Sequence, residues 1–153
     1  MTFFNKKSKP SKQAYAVVTG AGSGIGRSFA LELAQRGGVV VCVDIDLNAA
    51  EETVSLIQNQ YQIDAFAVQC DVGCAEQVKA LAEQAEQLMG HATTLIVNNA
   101  GVGLGGKFDE ISLEDWQWCM HVNLWGVIHG CHYFVPQFKQ QGHGAIINVA
   151  SAA

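Results

Sequence analysis

The 153-residue chain is the size of one domain, and with 49% hydrophobic and 15% charged residues it excludes a disordered polymer. Its apolar runs all fall short of the roughly 18 to 20 residues that span a membrane. The net charge of −5 is uneven: Lys6, Lys7, Lys9 and Lys12 make the start basic, and the acidic remainder argues against a general nucleic-acid binder.

In chain order, residues 1–13 read as a flexible basic tail, and "MTFF" followed by lysines lacks the apolar stretch of a signal peptide. "AYAVVT" (Ala14 to Thr19) is a short apolar strand. "GIGRSFALELAQRG" is a helix with Ile25, Phe29, Leu33 and Ala34 on one face and Gly37-Gly38 as its stop. "VVVCVDI" is a continuous apolar run, the pattern of a strand buried on both faces. "LNAAEETVSLIQNQY" is a helix for which Asp46 is the N-cap. "AFAVQC" is a third strand, "AEQVKALAEQAEQLMG" a third helix ending at Gly90, and "TLIVNNAG" a fourth strand. After the loop Gly101 to Glu110, a capping box from Ser112 to Asp115 opens a long helix, 113–136, stopped near Pro136. "GAIINVAS" is the fifth strand. Strict alternation of strand and helix predicts an α/β fold, a parallel sheet with helices on both faces over residues 14–153.

Five cysteines, an odd number with no CxxC pair, fit a reducing cytoplasm rather than a disulfide framework. Cys42 and Cys70 read as small core residues, and Cys131-His132 has no second pair at ligand spacing, so no metal site is expected.

The strongest chemical signal is "TGAGSGIG", Thr19 to Gly26, between the first strand and the first helix. No Lys-Ser/Thr pair follows its glycines, so it is not a P-loop. Gly20 suits the tight turn, a bare Gly24 allows a pyrophosphate to approach backbone N–H groups, and Gly26 permits close packing; the helix start adds a positive dipole end. A plain glycine-rich turn is the bland alternative. Asp44, at the end of the second strand, is placed to accept both hydroxyls of an adenosine ribose and to repel a 2′-phosphate. With Ile45 after it and Ser23 before Gly24, neither position supplies a cation, which favours NAD over NADP. Helix capping is the other use for such an Asp, and Asp46 is better placed for it.

"TGAGSGIG", "CDV" (Cys70 to Val72), "NNAG" (Asn98 to Gly101), "VNLWG" (Val122 to Gly126) and "INVAS" (Ile147 to Ser151) occur in order at the right intervals. Together they resemble the short-chain dehydrogenase/reductase family over residues 14 to 153. The family likeness makes the fold a doubly wound, Rossmann-type sheet of five strands in the order 3-2-1-4-5, incomplete at its C-terminal side. The resemblance implies an NAD-dependent oxidoreductase moving hydride between nicotinamide and an alcohol or ketone. It implies a glycine-turn contact through Gly20, Ser23, Gly24, Ile25 and Gly26, and an adenine contact at Asp71 and Val72. Asn99, Ala100 and Gly101 would run beside the nicotinamide ribose. It casts Asn123 as the helix Asn that holds a water in the proton relay, and Ser151 as the donor to the substrate oxygen, where developing negative charge needs one. The plainer alternatives are a helix-kinking amide and a strand-end turn residue. The family likeness also implies a homo-oligomer through helix 113–136.

The family's acid/base pair, Tyr-x-x-x-Lys, is not found: Thr19, Ala65 and Gln137 stand four residues after Tyr15, Tyr61 and Tyr133. His121, His129 and His132 read as packing residues. The chain is therefore expected to be the cofactor-binding part of a longer enzyme, ending just inside the active site and inactive by itself. A strand Ala145 to Val149 with an open far edge is expected to favour self-association. A non-catalytic dinucleotide- or partner-binding module is the alternative.

Overall fold

The unbroken apolar run Val39–Asp44 becomes β2, a strand with a neighbour on each side and helices over both faces. The computed structural model describes residues 9–151. Around β2 stand β1 (Tyr15–Thr19), β3 (Ala65–Gln69), β4 (Leu95–Asn98) and β5 (Ala145–Asn148), all parallel, in the order β3-β2-β1-β4-β5. This is the expected doubly wound sheet in the expected order.

Successive strand residues point to opposite faces, and the sequence of β1 and β2 uses both. Ala16, Val18, Val40 and Cys42 pack beneath α1 (Gly24–Gln35) and α2 (Leu47–Tyr61), with Ala30, Leu33 and Ile57. Val17, Val41 and Val43 pack on the other face beneath α3 (Ala75–Met89) and α5 (Gly126–Gln141), with Leu81, Ala85 and Phe134. The chain winds outward from β1 to β3 and then crosses back to β4 on the other side of β1. The carboxyl ends of β1 and β4 therefore diverge, leaving a crevice between the loops that follow them.

Local signals set most element ends as expected. Asp46 Oδ1 accepts from the backbone N–H groups of Asn48 and Ala49, capping α2. Gly90 ends α3 at φ +66. Two expectations need correction. Ile25 does not join the core face of α1: it is 62% exposed, because it sits in the first turn, where the helix has not yet passed under the sheet. The long helix does not stop near Pro136. It runs as α4 (Leu113–Met120), a π-helical turn (His121–Trp125) and α5, which continues through Pro136 to Gln141. Buried Phe134 and Phe138 on either side of the proline anchor both halves of α5, outweighing the lost backbone hydrogen bond.

The tail is tied down at its end. Lys12 N–H donates to Lys9 O, Gln13 N–H to Arg36 O, and Arg36 Nη1 to Ser11 Oγ; Lys6 and Lys7 lie outside the described residues. β5 pairs with β4 alone among the described residues, and Ile146 and Ile147 are 36% and 37% exposed. No helix of the described residues is long and apolar enough to cross a membrane.

Candidate functional site

The loops after β1 to β4 enclose a crevice of about 410 Å³. Eleven of the thirteen residues singled out from the sequence meet around it. Gly20, Ser23, Gly24, Ile25, Asp44, Asp71, Val72, Asn99, Ala100 and Gly101 line it directly, and Gly26 lies behind its floor. Asn123 and Ser151 are outside the lining.

The floor is the turn after β1. Gly20 turns the chain at φ +64, and Gly24 opens α1 at φ +53 with open space where a side chain would be. Gly26 is the tightest position: a Cβ there would come within 2.0 Å of Gly20 O and 2.6 Å of Asn99 Nδ2. The glycine thus packs the helix onto the turn itself rather than onto the strand. The start of α1 differs from those of α2 and α4. Ser23 makes no side-chain cap and the first turn holds no acidic residue, whereas Asp46 caps α2 and Ser112 caps α4, with Glu114 and Asp115 following it. An uncapped helix start with no acidic side chain, facing an open glycine, suits an anion.

Asp44 stands in the crevice wall with both oxygens anchored. Oδ2 accepts from Gly22 N–H at 2.8 Å and Oδ1 from Asp46 N–H at 3.1 Å, so each oxygen keeps a lone pair for a further donor. Among the described residues no Lys or Arg lines the crevice to meet a 2′-phosphate beside Asp44.

Asn99 and Asp71 are turned to structural duties. Asn99 Nδ2 donates to Thr19 O and Gly20 O, fastening the loop after β4 to the glycine turn. Asp71 Oδ1 accepts from Gly73 N–H at 2.9 Å, and His129 Nδ1 holds Val72 O at 2.9 Å, fixing the "CDV" segment against α5. His121 bonds to Gln117 O, and His132 meets Tyr133 edge-on, both packing roles.

Asn123 lies in the π-helical turn, where the loosened backbone swings its amide onto the loop after β4. Its Oδ1 accepts from Val102 N–H and its Nδ2 donates to Val102 O, each at 2.8 Å, with Cys119 Sγ at 3.2 Å. Asn123 therefore reaches the crevice through Val102, which lines it. Ser151 is exposed past the end of β5, whose exit is fixed by Val149 N–H to Asn98 O and by Asn98 Nδ2 to Asn148 Oδ1.

Several further residues of the site stand outside those thirteen. Thr19 is 5% exposed, and its hydroxyl accepts from Asn99 N–H and Ala100 N–H while facing Val97 O. Trp118 lines the crevice one helical turn before Val122, a spacing from which it could have been found. Cys70 lines it too, but burial, helped by Asp71 and Cys74, pushes its thiol up to about 12, so it is not a nucleophile near neutrality. Burial does the same to Cys42, also pushed up to about 12 against the pull of Arg27. Among the described residues no three His, Cys, Asp or Glu side chains gather as a metal site.

This architecture and this crevice define a doubly wound, Rossmann-type α/β protein with its site at the sheet's switch point. The short chain dehydrogenase family model matches residues 14–153, and the chain belongs to that family. It is similar to cyclohexanol dehydrogenase of an Acinetobacter species, 43% identical over 139 residues, covering 90% of this chain and 55% of that protein. It is 35% identical to the 7alpha-hydroxysteroid dehydrogenase of Escherichia coli, covering 90% of this chain and 53% of that one. A short-chain dehydrogenase/reductase from Burkholderia phymatum, crystallised with NAD, superimposes with a TM-score of 0.87 at 40% identity, over 94% of this chain and 50% of that one. The chain spans about half the length of these relatives, and 23% of the probable oxidoreductase EphD of Mycobacterium tuberculosis.

Proposed function

We propose that the crevice binds NAD in preference to NADP, and that the complete form of the protein transfers hydride between the nicotinamide and an alcohol or ketone. The observation that carries this is Asp44: an anchored carboxylate in the crevice wall, with no Lys or Arg among the described residues that line it. The open Gly24 and the uncapped start of α1 fit the diphosphate, and the B. phymatum neighbour, crystallised with NAD, supports the same cofactor. NAD would supply the hydride acceptor. The chain's own residues bind and orient it: Gly20, Ser23, Gly24, Ile25 and Gly26 at the diphosphate, Asp44 at the adenosine ribose, Asp71 and Val72 at the adenine, and Asn99, Ala100 and Gly101 beside the second ribose. Ser151 is the proposed donor to the substrate oxygen, and Asn123 holds the loop after β4 in place through Val102.

These 153 residues contain no Tyr-x-x-x-Lys, so on their own they are expected to bind dinucleotide without turning over alcohols. Exposed Leu124, Trp125 and Ile128 support a homo-oligomer through the α4–α5 helix, and five free cysteines support a reducing, cytoplasmic setting.

Titration of the purified protein with NAD and NADP tests the reading. NAD should bind more tightly, and Asp44→Ala should narrow the difference. Tighter binding of NADP to the unaltered protein would remove Asp44 from the ribose.

A further inference from the structure

We propose that Arg27 and Thr53, which lie behind the crevice between α1 and α2, are positioning residues for cofactor choice: they hold the Ala21-Gly22 backbone so that Gly22 N–H fixes the Asp44 carboxylate. This rests on the assignment of Asp44 to the ribose.

All four backbone polar groups of Ala21 and Gly22 are engaged. Ala21 N–H donates to Val43 O at 2.9 Å, and Ala21 O accepts from the Thr53 hydroxyl at 2.8 Å. Gly22 N–H donates to Asp44 Oδ2, and Gly22 O accepts from Arg27 Nη2. Arg27 Nε donates to Thr53 Oγ1 at 2.9 Å, so the two side chains form one unit. Thr53 is fully buried, and its hydroxyl serves both the Arg and the turn. The Arg27 side chain is 28% exposed and pairs with Glu52 at 3.2 Å. Neither residue lines the crevice, so neither touches the dinucleotide; each acts through the turn. The fit is close enough that a Cβ on Gly22 would meet Asp44 Oδ2 at 2.7 Å and Ala49 Cβ at 2.7 Å.

Selection against a 2′-phosphate depends on where the carboxylate stands. With its Gly22 anchor loosened, Asp44 can turn away: the ribose hydroxyls lose acceptors, and the 2′-phosphate meets less repulsion. NAD binding should weaken and NADP binding should not. A direct charge effect of Arg27 has the opposite sign. Removing a cation near the site would weaken the more highly charged NADP further and widen the preference.

The test is calorimetric titration of the purified protein with NAD and with NADP. Arg27→Lys keeps the charge but loses the donor to Thr53 and the forked reach to Gly22 O. The ratio of the two Kd values should narrow by about 3- to 10-fold, the effect of losing one or two positioning hydrogen bonds. Thr53→Val should narrow it as well, and Thr53→Ser, which keeps the hydroxyl, should restore it. In an Asp44→Ala background, Arg27→Lys should change the ratio no further, because its effect runs through Asp44. If Thr53→Val does not fold, Arg27→Lys and the Asp44→Ala background carry the test. Parallel weakening of both cofactors, a widened preference, or an undiminished effect of Arg27→Lys without Asp44 would each overturn the proposal. An Asp44→Ala variant with the unaltered protein's ratio would instead overturn the ribose assignment itself, and the proposal with it.

Discussion

Gly26 and Gly24, two residues apart, should fail in different ways when each is changed to Ala. A Cβ on Gly26 would lie 2.0 Å from Gly20 O, where real contacts stop near 3.0 Å, so turn and helix must part by at least the 1.0 Å between those values. What blocks the way is backbone, not a side chain that can swing aside. Parting the two strains the bonds from Asn99 Nδ2 to Thr19 O and Gly20 O, at 2.9 and 3.3 Å. Overpacking of about 1 to 3 kcal/mol and two weakened hydrogen bonds at about 1 kcal/mol each suggest a loss of about 3 to 5 kcal/mol for Gly26→Ala. That is a large share of the roughly 5 to 15 kcal/mol that stabilises a domain. A Cβ on Gly24 meets nothing within 4 Å, and its only strain is φ +53, about 1 to 2 kcal/mol for a non-glycine residue. That Cβ would, however, stand at the open start of α1, where the diphosphate is proposed to lie. Urea unfolding and NAD titration on both variants separate the effects. Gly26→Ala should lose stability first, and Gly24→Ala should lose NAD affinity by about tenfold or more with a modest shift in midpoint, as expected when bulk displaces a phosphate from its N–H groups. A Gly26→Ala protein with an unchanged urea midpoint would refute the packing argument, and unchanged NAD affinity in Gly24→Ala would refute the diphosphate position.

Thr19→Val should cost about 1 to 3 kcal/mol in urea unfolding, because it leaves the N–H groups of Asn99 and Ala100 without their acceptor; a change below experimental error would show that the loop finds other partners. Asn123→Ala should release Val102 N–H and O, seen as faster amide exchange at Val102, while Asn123→Asp, which keeps the acceptor but not the donor, should protect that amide in part. Iodoacetamide at pH 8 should label Cys74, Cys119 and Cys131 well before Cys42 and Cys70, whose thiols are pushed up to about 12, and early labelling of Cys42 would contradict its burial. The same two thiols set a sign for pH. They remain protonated in the fold while those of the unfolded chain ionise near the ordinary thiol value of 9.0, so their contribution to stability is intact below that value and declines as pH rises towards 12. Urea midpoints measured across that window check it, and a midpoint rising over the same range would contradict it.

Periodicity and punctuation carried far in this chain. The apolar run Val39–Asp44, the alternation of strand and helix, the Asp46 cap and the glycines at the end of β1 were enough to set the elements and their parallel sense, because each is a local rule that short-range sterics enforce; the lateral order of the strands came from the family likeness. The glycine turn was legible for the same reason, and Asp44 was legible as the residue at a strand end, although its bond to Gly22 N–H spans 22 positions and is tertiary. The passage of α5 through Pro136 was not legible, since it depends on what Phe134 and Phe138 bury against. Nor was the outward placement of Ile25, decided by where α1 first passes under the sheet. The π-helical turn that lays Asn123 on Val102, the Thr19 hub and the Arg27–Thr53 pair join residues 21 to 81 positions apart. No local pattern marks such partners, because a side-chain hydrogen bond depends on distance in space. Only the packed sheet, with α1, α2 and the loop after β4 brought over it, determines which donors meet which acceptors.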